Sequence, residues 1–123
     1  MIDFSQYRFE IDSIPFAPIG DTNYMNDEQI IANCNLIRRK DIGVLFIYCF
    51  RSFVQNQGVA QHFLQEIINF AKREQYKCIR LSVRSENAKA KHVYEKLGFK
   101  IYYTHNKYNT SWMRLSLEEQ SPN

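Results

Sequence analysis

From Cys78 to Arg84 the chain alternates without interruption, with Ile79, Leu81 and Val83 on one side and Cys78, Arg80, Ser82 and Arg84 on the other. A period of two predicts a β-strand with one buried face. On either side of this segment the period lengthens. Between Gly58 and Gln75, Ala60, Leu64, Ile67 and Ala71 recur at spacings of four, three and four, flanked by Val59, Phe63 and Phe70. That stripe predicts an amphipathic helix, and Lys72 and Arg73 near its end suit the negative end of the helix dipole. A second helix is predicted from Asn87 to Leu97, with Ala90, Val93, Tyr94 and Leu97 on one face. Ser85 or Asn87 can cap its start, and Gly98 ends it.

The remaining apolar segments read as strands. Tyr7 to Ile14 alternates and is closed by Pro15 and Pro18, while Gln29 to Arg39 forms a second strand. Asp21 to Asp27 is polar and reads as a turn. Val44 to Phe50 is a continuous apolar run, as expected of a central strand covered on both faces. Phe99 to Tyr108 and Ser111 to Leu117 form a closing hairpin. The predicted order is β-β-β-α-β-α-β-β, an α/β (α+β) arrangement. Its single mixed, mostly antiparallel sheet carries helices packed on it. A helix between strands implies a parallel crossover near the centre, with hairpins outside it.

With 123 residues, 45% of them hydrophobic and 24% charged, the chain suits one domain able to bury a core without disulfides or a structural metal. We expect that domain to occupy residues 1–117, followed by a disordered tail at 118–123. No stretch approaches the roughly 20 apolar residues that span a bilayer, and the N-terminus lacks the pattern of a signal peptide. Cys34, Cys49 and Cys78 are odd in number, widely spaced and without a CxxC pair, which points to reduced thiols in a cytoplasmic protein and to no metal site. The net charge of +3 is unevenly spread: residues 1–30 hold one base and six acids, residues 31–123 fifteen bases and seven acids. The bases are scattered rather than clustered in a tract. A small ligand with several phosphates is therefore expected rather than nucleic acid.

Between the apolar run and the first helix lies Arg51-Ser52-Phe53-Val54-Gln55-Asn56-Gln57-Gly58-Val59-Ala60. A loop entering a helix presents unpaired backbone N–H groups and the positive end of the dipole, so it can hold phosphate without a dedicated side chain. An ordinary strand-to-helix loop with a capping glycine would look similar. The second segment, Leu81-Ser82-Val83-Arg84-Ser85-Glu86-Asn87 through Tyr94-Glu95-Lys96-Leu97-Gly98-Phe99, is more specific. It resembles the signature of the GNAT N-acetyltransferase superfamily, in which an L-x-V strand precedes N-x-x-A-x-x-x-Y-x-x-x-G-F. Gln55-x-x-Gly58-x-Ala60 matches that family's pyrophosphate loop at the expected place. The resemblance covers residues 42–117 well and residues 1–41 loosely.

This resemblance implies acetyl-CoA as the donor. Backbone groups of Tyr48, Cys49 and Phe50 would pair with the pantetheine arm. Gln55 would open the loop, and the amides of Asn56, Gln57, Gly58, Val59, Ala60 and Gln61 would hold the pyrophosphate. Asn87 and Ala90 would border the pantetheine, and Tyr94 would sit beside the thioester sulfur as the acid for the departing thiolate. The spacing of Tyr94 equally permits a packing role in the helix stripe. Cys49 would lie near the cofactor thiol, or serve as a small buried hydrophobe.

Two departures from the family pattern stand out. The usual glutamate base is absent: Val44 to Phe50 holds no acid, and the other common position holds Ser82. His105 and Glu86 are the available substitutes, with His105 read as an exposed loop residue. The two N-terminal helices that usually shape the acceptor pocket are also missing. The chain is then either a minimal version or a homodimer whose pocket is completed by the partner. The expected activity is acetyl transfer to a primary amine of a small molecule or protein; the alternative is a non-catalytic acyl-CoA-binding module of the same fold.

Overall fold

A computed structural model describes residues 2–11 and 19–118. Seven strands and two helices follow in chain order: β1 (Arg8–Ile11), β2 (Ile19–Met25), β3 (Ile30–Arg39), β4 (Val44–Ser52), α1 (Val59–Arg73), β5 (Cys78–Arg84), α2 (Ala88–Lys96), β6 (Lys100–His105) and β7 (Thr110–Ser116). The strands form one sheet in the order β1-β2-β3-β4-β5-β7-β6. The expected fold class holds, with one strand more than the sequence pattern predicts. That strand is β2, where a turn was expected. Its composition reads as a turn, yet Thr22 and Tyr24 are both buried while Asp21 is exposed. The Tyr24 ring stacks on Phe63 of α1 at 5.7 Å, so packing from outside the segment overrides its weak β-propensity.

Among the described residues the only neighbouring parallel pair is β4–β5, joined through α1; β7 inserts between β5 and β6, antiparallel to both. The predicted helices are present with nearly the expected limits. Asn87 caps α2 by accepting a hydrogen bond from the Ala90 N–H at 3.1 Å. The first strand begins at Arg8, and Pro15, Pro18 and the end of the predicted Tyr7–Ile14 strand lie outside the described residues. So does the predicted tail apart from Glu118.

Both helices lie on the same face of the sheet. Phe63 of α1 stacks on Phe50 of β4 at 5.4 Å, and Tyr94 of α2 meets the same Phe50 at 6.2 Å. The buried core of Leu36, Leu45, Ile47, Phe63, Leu64, Ile67, Ile79, Leu81 and Phe99 fills the space beneath them. The expectation that β4 is covered on both faces is not met. Among the described residues no helix covers the side carrying Phe46 and Tyr48, and these rings, stacked on each other at 6.2 Å, stay half-buried. Continuous apolarity along β4 therefore reflects a core face plus an aromatic open face.

Candidate functional site

The ladder between β4 and β5 runs from Val44↔Cys78 to Ile47↔Leu81 and stops. Beyond it β4 bulges: the register against β3 slips between Asn33 and Asn35, and Cys49 adopts a left-handed φ of 54°. A bulge bends its strand and ends regular pairing. The two strands consequently part, and a cleft of about 730 Å³ opens between them. Side chains from both faces of the sheet border it, Phe50, Val83 and Tyr94 from the helical side and Tyr48 and Ser82 from the open side.

Of the site residues expected from the sequence, Tyr48, Cys49, Phe50, Gln55, Ala60, Asn87, Ala90 and Tyr94 all line this cleft. Asn56, Gln57, Gly58 and Gln61 are exposed at its rim, and the Val59 side chain is buried in the core, so Val59 can offer a ligand only its amide. Cys49 is exposed, not a buried hydrophobe. His105 is not an exposed loop residue but half-buried at the end of β6, outside the cleft lining. Glu86 accepts a hydrogen bond from the Asn109 side-chain amide and pairs with Arg84 at 3.7 Å. No carboxylate lines the cleft among the described residues.

The loop at the cleft's end is built from local contacts. Ser52 Oγ donates to the Val54 carbonyl at 2.7 Å, and Gln55 Nε2 to the Ser52 carbonyl at 3.2 Å, so Gln55 pins the loop as well as lining the cleft. Asn56 and Gly58 both take left-handed conformations, with φ of 61° and 74°. Alternation of this kind turns successive N–H groups toward one concavity, which favours anions. The amides at the start of α1 have no partner within the helix. A Cβ added at Gly58 would meet nothing within 4 Å, so the space beside this backbone is open to a ligand.

Lys89 is a cleft residue that the sequence pattern did not single out. Its Nζ donates to Asn56 Oδ1 at 3.1 Å, bringing a positive charge from α2 to the loop before α1. A signal was present: the first turn of α2 has no acid and holds Lys89, and a cation at a helix N-terminus is electrostatically unfavourable unless an anion is near. Arg84, on the open side of β5, is a second basic residue lining the cleft.

Tyr94 is buried, its ring held against Phe50 and Phe99. Burial, with a smaller contribution from Cys34, pushes its phenol up to about 12, so the hydroxyl stays protonated throughout the neutral range. Burial likewise raises the Cys34 thiol to about 12, which makes it a poor nucleophile. Among the described residues no group of His, Cys, Asp and Glu side chains could hold a metal ion, and no helix is long and apolar enough to cross a membrane.

Residues 6–99 match the model of the acetyltransferase (GNAT) family, and the chain belongs to that family. No curated protein matches the sequence. The fold is shared with a GNAT family acetyltransferase from Elizabethkingia anophelis with acetyl-CoA bound, at 14% identity and a TM-score of 0.78 over 91% of this chain and 99% of that one. A Bacillus subtilis acetyltransferase in complex with CoA gives 13% identity and a TM-score of 0.76 over 91% and 99%. PaiA N-acetyltransferase from Thermoplasma acidophilum, in complex with coenzyme A, gives 18% and 0.70 over 80% and 61%.

Proposed function

We propose that this protein, through one domain spanning residues 1–117, transfers an acetyl group from acetyl-CoA to a primary amine of a small molecule or protein. The observation that carries the reading is Tyr94, whose burial favours the protonated hydroxyl, lining a cleft that also reaches Gln55 and Ala60 of the loop entering α1. Acetyl-CoA is the donor substrate of this reaction. Its pyrophosphate suits the amides from Asn56 to Gln61 together with Lys89. Its pantetheine amides suit the backbone of Tyr48, Cys49 and Phe50, which lacks a β5 partner and can accept an added strand. Asn87 and Ala90 border the same path.

In the reaction the amine nitrogen attacks the thioester carbonyl carbon. The N–C bond forms, the C–S bond breaks, and the sulfur's electron pair takes the Tyr94 proton. The proton lost by the amine passes to water, and the phenolate recovers one from solvent, so one proton leaves the amine and one ends on CoA. Because no carboxylate among the described residues lines the cleft, the amine is deprotonated through water, and holding it uncharged and oriented is the main contribution of the protein.

The same absence supports a second reading, a non-catalytic acyl-CoA-binding module. Thiol release from acetyl-CoA across a panel of amines separates the two. Turnover above the background supports transfer; acetyl-CoA binding without turnover of any amine favours the module.

The reading extends to a cytoplasmic homodimer. Acetyl-CoA as donor and three free thiols fit a reducing compartment. The edge strand β6 exposes Ile101, Tyr102 and Tyr103, a surface that a second copy would cover.

A further inference from the structure

Arg80, Arg114 and Lys100 stand in one row across the open face of the sheet. Arg80 lies directly opposite Arg114 in the β5–β7 ladder, and Arg114 directly opposite Lys100 in the β7–β6 ladder. Side chains opposite one another in antiparallel strands project to the same side, about 5 Å apart, and like charges so placed are destabilising. The Tyr102 ring lies 5.5 Å from the guanidinium carbon of both arginines, so the pair is held over one aromatic surface. None of the three cations makes an ion pair or hydrogen bond with a described residue, and Arg80 Nε is buried without a partner. On its other flank the row continues into Phe46 and Ile37, which are apolar. The two carboxylates that the described strands carry, Asp21 and Glu10, lie on β2 and β1, beyond β3 and β4.

This row adjoins the cleft. Ser82, two residues beyond Arg80 on the same face of β5, lines the cleft, as does Tyr48 two residues beyond Phe46. Two residues of strand span about 7 Å. Half-buried Trp112 lies opposite Ser82 and offers a flat apolar surface between the row and the cleft mouth. The row is also separate from the loop at Gln55 to Ala60, which serves the donor's phosphates in the proposed function.

We propose that the acceptor is a small amine carrying a phosphate or carboxylate, with the anion seated on Arg80, Arg114 and Lys100 and the amine delivered between Tyr48 and Ser82. The inference rests on the acetyltransferase reading above. An unpaired cationic row destabilises the free protein, and an anion bridging two guanidiniums relieves it with charge-assisted hydrogen bonds.

The test pairs amines with and without an anionic group: 4-aminobutyl phosphate against 4-aminobutanol, and 6-aminohexanoate against hexylamine, each followed by thiol release from acetyl-CoA. We expect kcat/KM at least about tenfold higher for one or both anionic members, as gain of charge-assisted hydrogen bonds implies. The two pairs distinguish phosphate from carboxylate. In Arg80→Gln and Arg114→Gln the ratio of anionic to neutral amine should collapse toward one, with more retained in Arg80→Lys. Arg114→Gln removes the middle of three like charges and should not lower the melting temperature. Binding is read separately from turnover, as thermal stabilisation of the CoA complex by 4-aminobutyl phosphate and 6-aminohexanoate, so an inactive protein still answers the question. Equal use of charged and neutral amines, no stabilisation by either anion, or an unchanged ratio in both glutamine variants overturns the anion row. Failure to bind acetyl-CoA, measured by calorimetry, overturns instead the reading on which it rests.

Discussion

Phe50 and Tyr94 meet edge to face, their ring centroids 6.2 Å apart and their planes at 75°. The contact joins the bulged end of β4 to α2 across the cleft. Packing and chemistry, alternatives for Tyr94 at the level of sequence, are therefore separable by atom: the ring belongs to the core, and the hydroxyl forms no hydrogen bond with any described residue. Tyr94→Phe keeps the ring and should change stability by less than about 0.5 kcal/mol. It should lower kcat by roughly 10²-fold, with acetyl-CoA affinity nearly unchanged. Tyr94→Ala should cost about 3–5 kcal/mol of stability. Steady-state kinetics beside thermal melts check both, and equal loss of activity and stability in the phenylalanine variant would assign Tyr94 to packing alone.

Buried Cys34 and Tyr94 predict how the fold responds to alkali. Both groups are neutral when protonated, and burial raises the thiol from 9.0 and the phenol from 10.0, each to about 12. Below pH 9 neither group ionises in either state, and their contribution is fully present. As pH rises the unfolded chain releases these protons first, so stability falls at up to about 1.4 kcal/mol per group per pH unit. The melting temperature should hold to about pH 9 and decline from there toward 12. Cys34→Ala should remove the part of that decline due to the thiol and delay its onset to about pH 10. A profile in the variant that still declines from pH 9 would show that Cys34 is not the group responsible.

Donor binding is predicted to depend on Gly58 and Lys89. Acetyl-CoA at about 100 times its dissociation constant should stabilise the fold by about 2.7 kcal/mol. Gly58 has room for a side chain but a φ of 74°, so Gly58→Ala should cost about 1–2 kcal/mol through backbone strain. Gly58→Glu adds a like charge beside the phosphates and should abolish the shift. Lys89→Gln should weaken acetyl-CoA binding about tenfold and reduce its salt dependence, as expected for loss of one charge-assisted contact. Calorimetry at two salt concentrations measures both. An unchanged melting temperature with millimolar acetyl-CoA would reject the site.

Most of the region from β4 to α2 was legible in the sequence because local signals agree there. The apolar run, the stripe Leu64, Ile67 and Ala71, the alternation in β5 and the cap at Asn87 each fall where the fold needs them. β2 was not legible, since Thr22 counts as polar in the pattern and Tyr24 is buried by a helix more than thirty residues away. The cleft residues followed from two motifs, but the cause of the cleft did not. It depends on Cys49 adopting a conformation that non-glycine residues seldom take. The open face was equally hidden. An apolar strand looks the same whether helices cover one side or both, and only cross-strand register brings Arg80, Arg114 and Lys100 into a row.

That open face and its outer edge bear on assembly. β6 ends the sheet, so one side of its backbone has no strand partner among the described residues. Its side chains Ile101, Tyr102 and Tyr103, with Tyr108 in the following turn, are exposed by 43%, 40%, 52% and 64%. Edge strands of soluble proteins are usually protected by charge, proline or a covering element, and β6 has only Lys100 at its start. A second copy related by a two-fold axis would supply such cover, since an isologous contact sets the same apolar patch against itself. The expected mass in light scattering at micromolar concentration is twice the chain's 14.7 kDa. Ile101→Lys places a charge at the contact and should shift the mass to that of one chain, while acetyl-CoA still stabilises the fold because the cleft lies two strands away. A wild-type protein that runs as a clean monomer eliminates the dimer and leaves the acceptor face open to solvent.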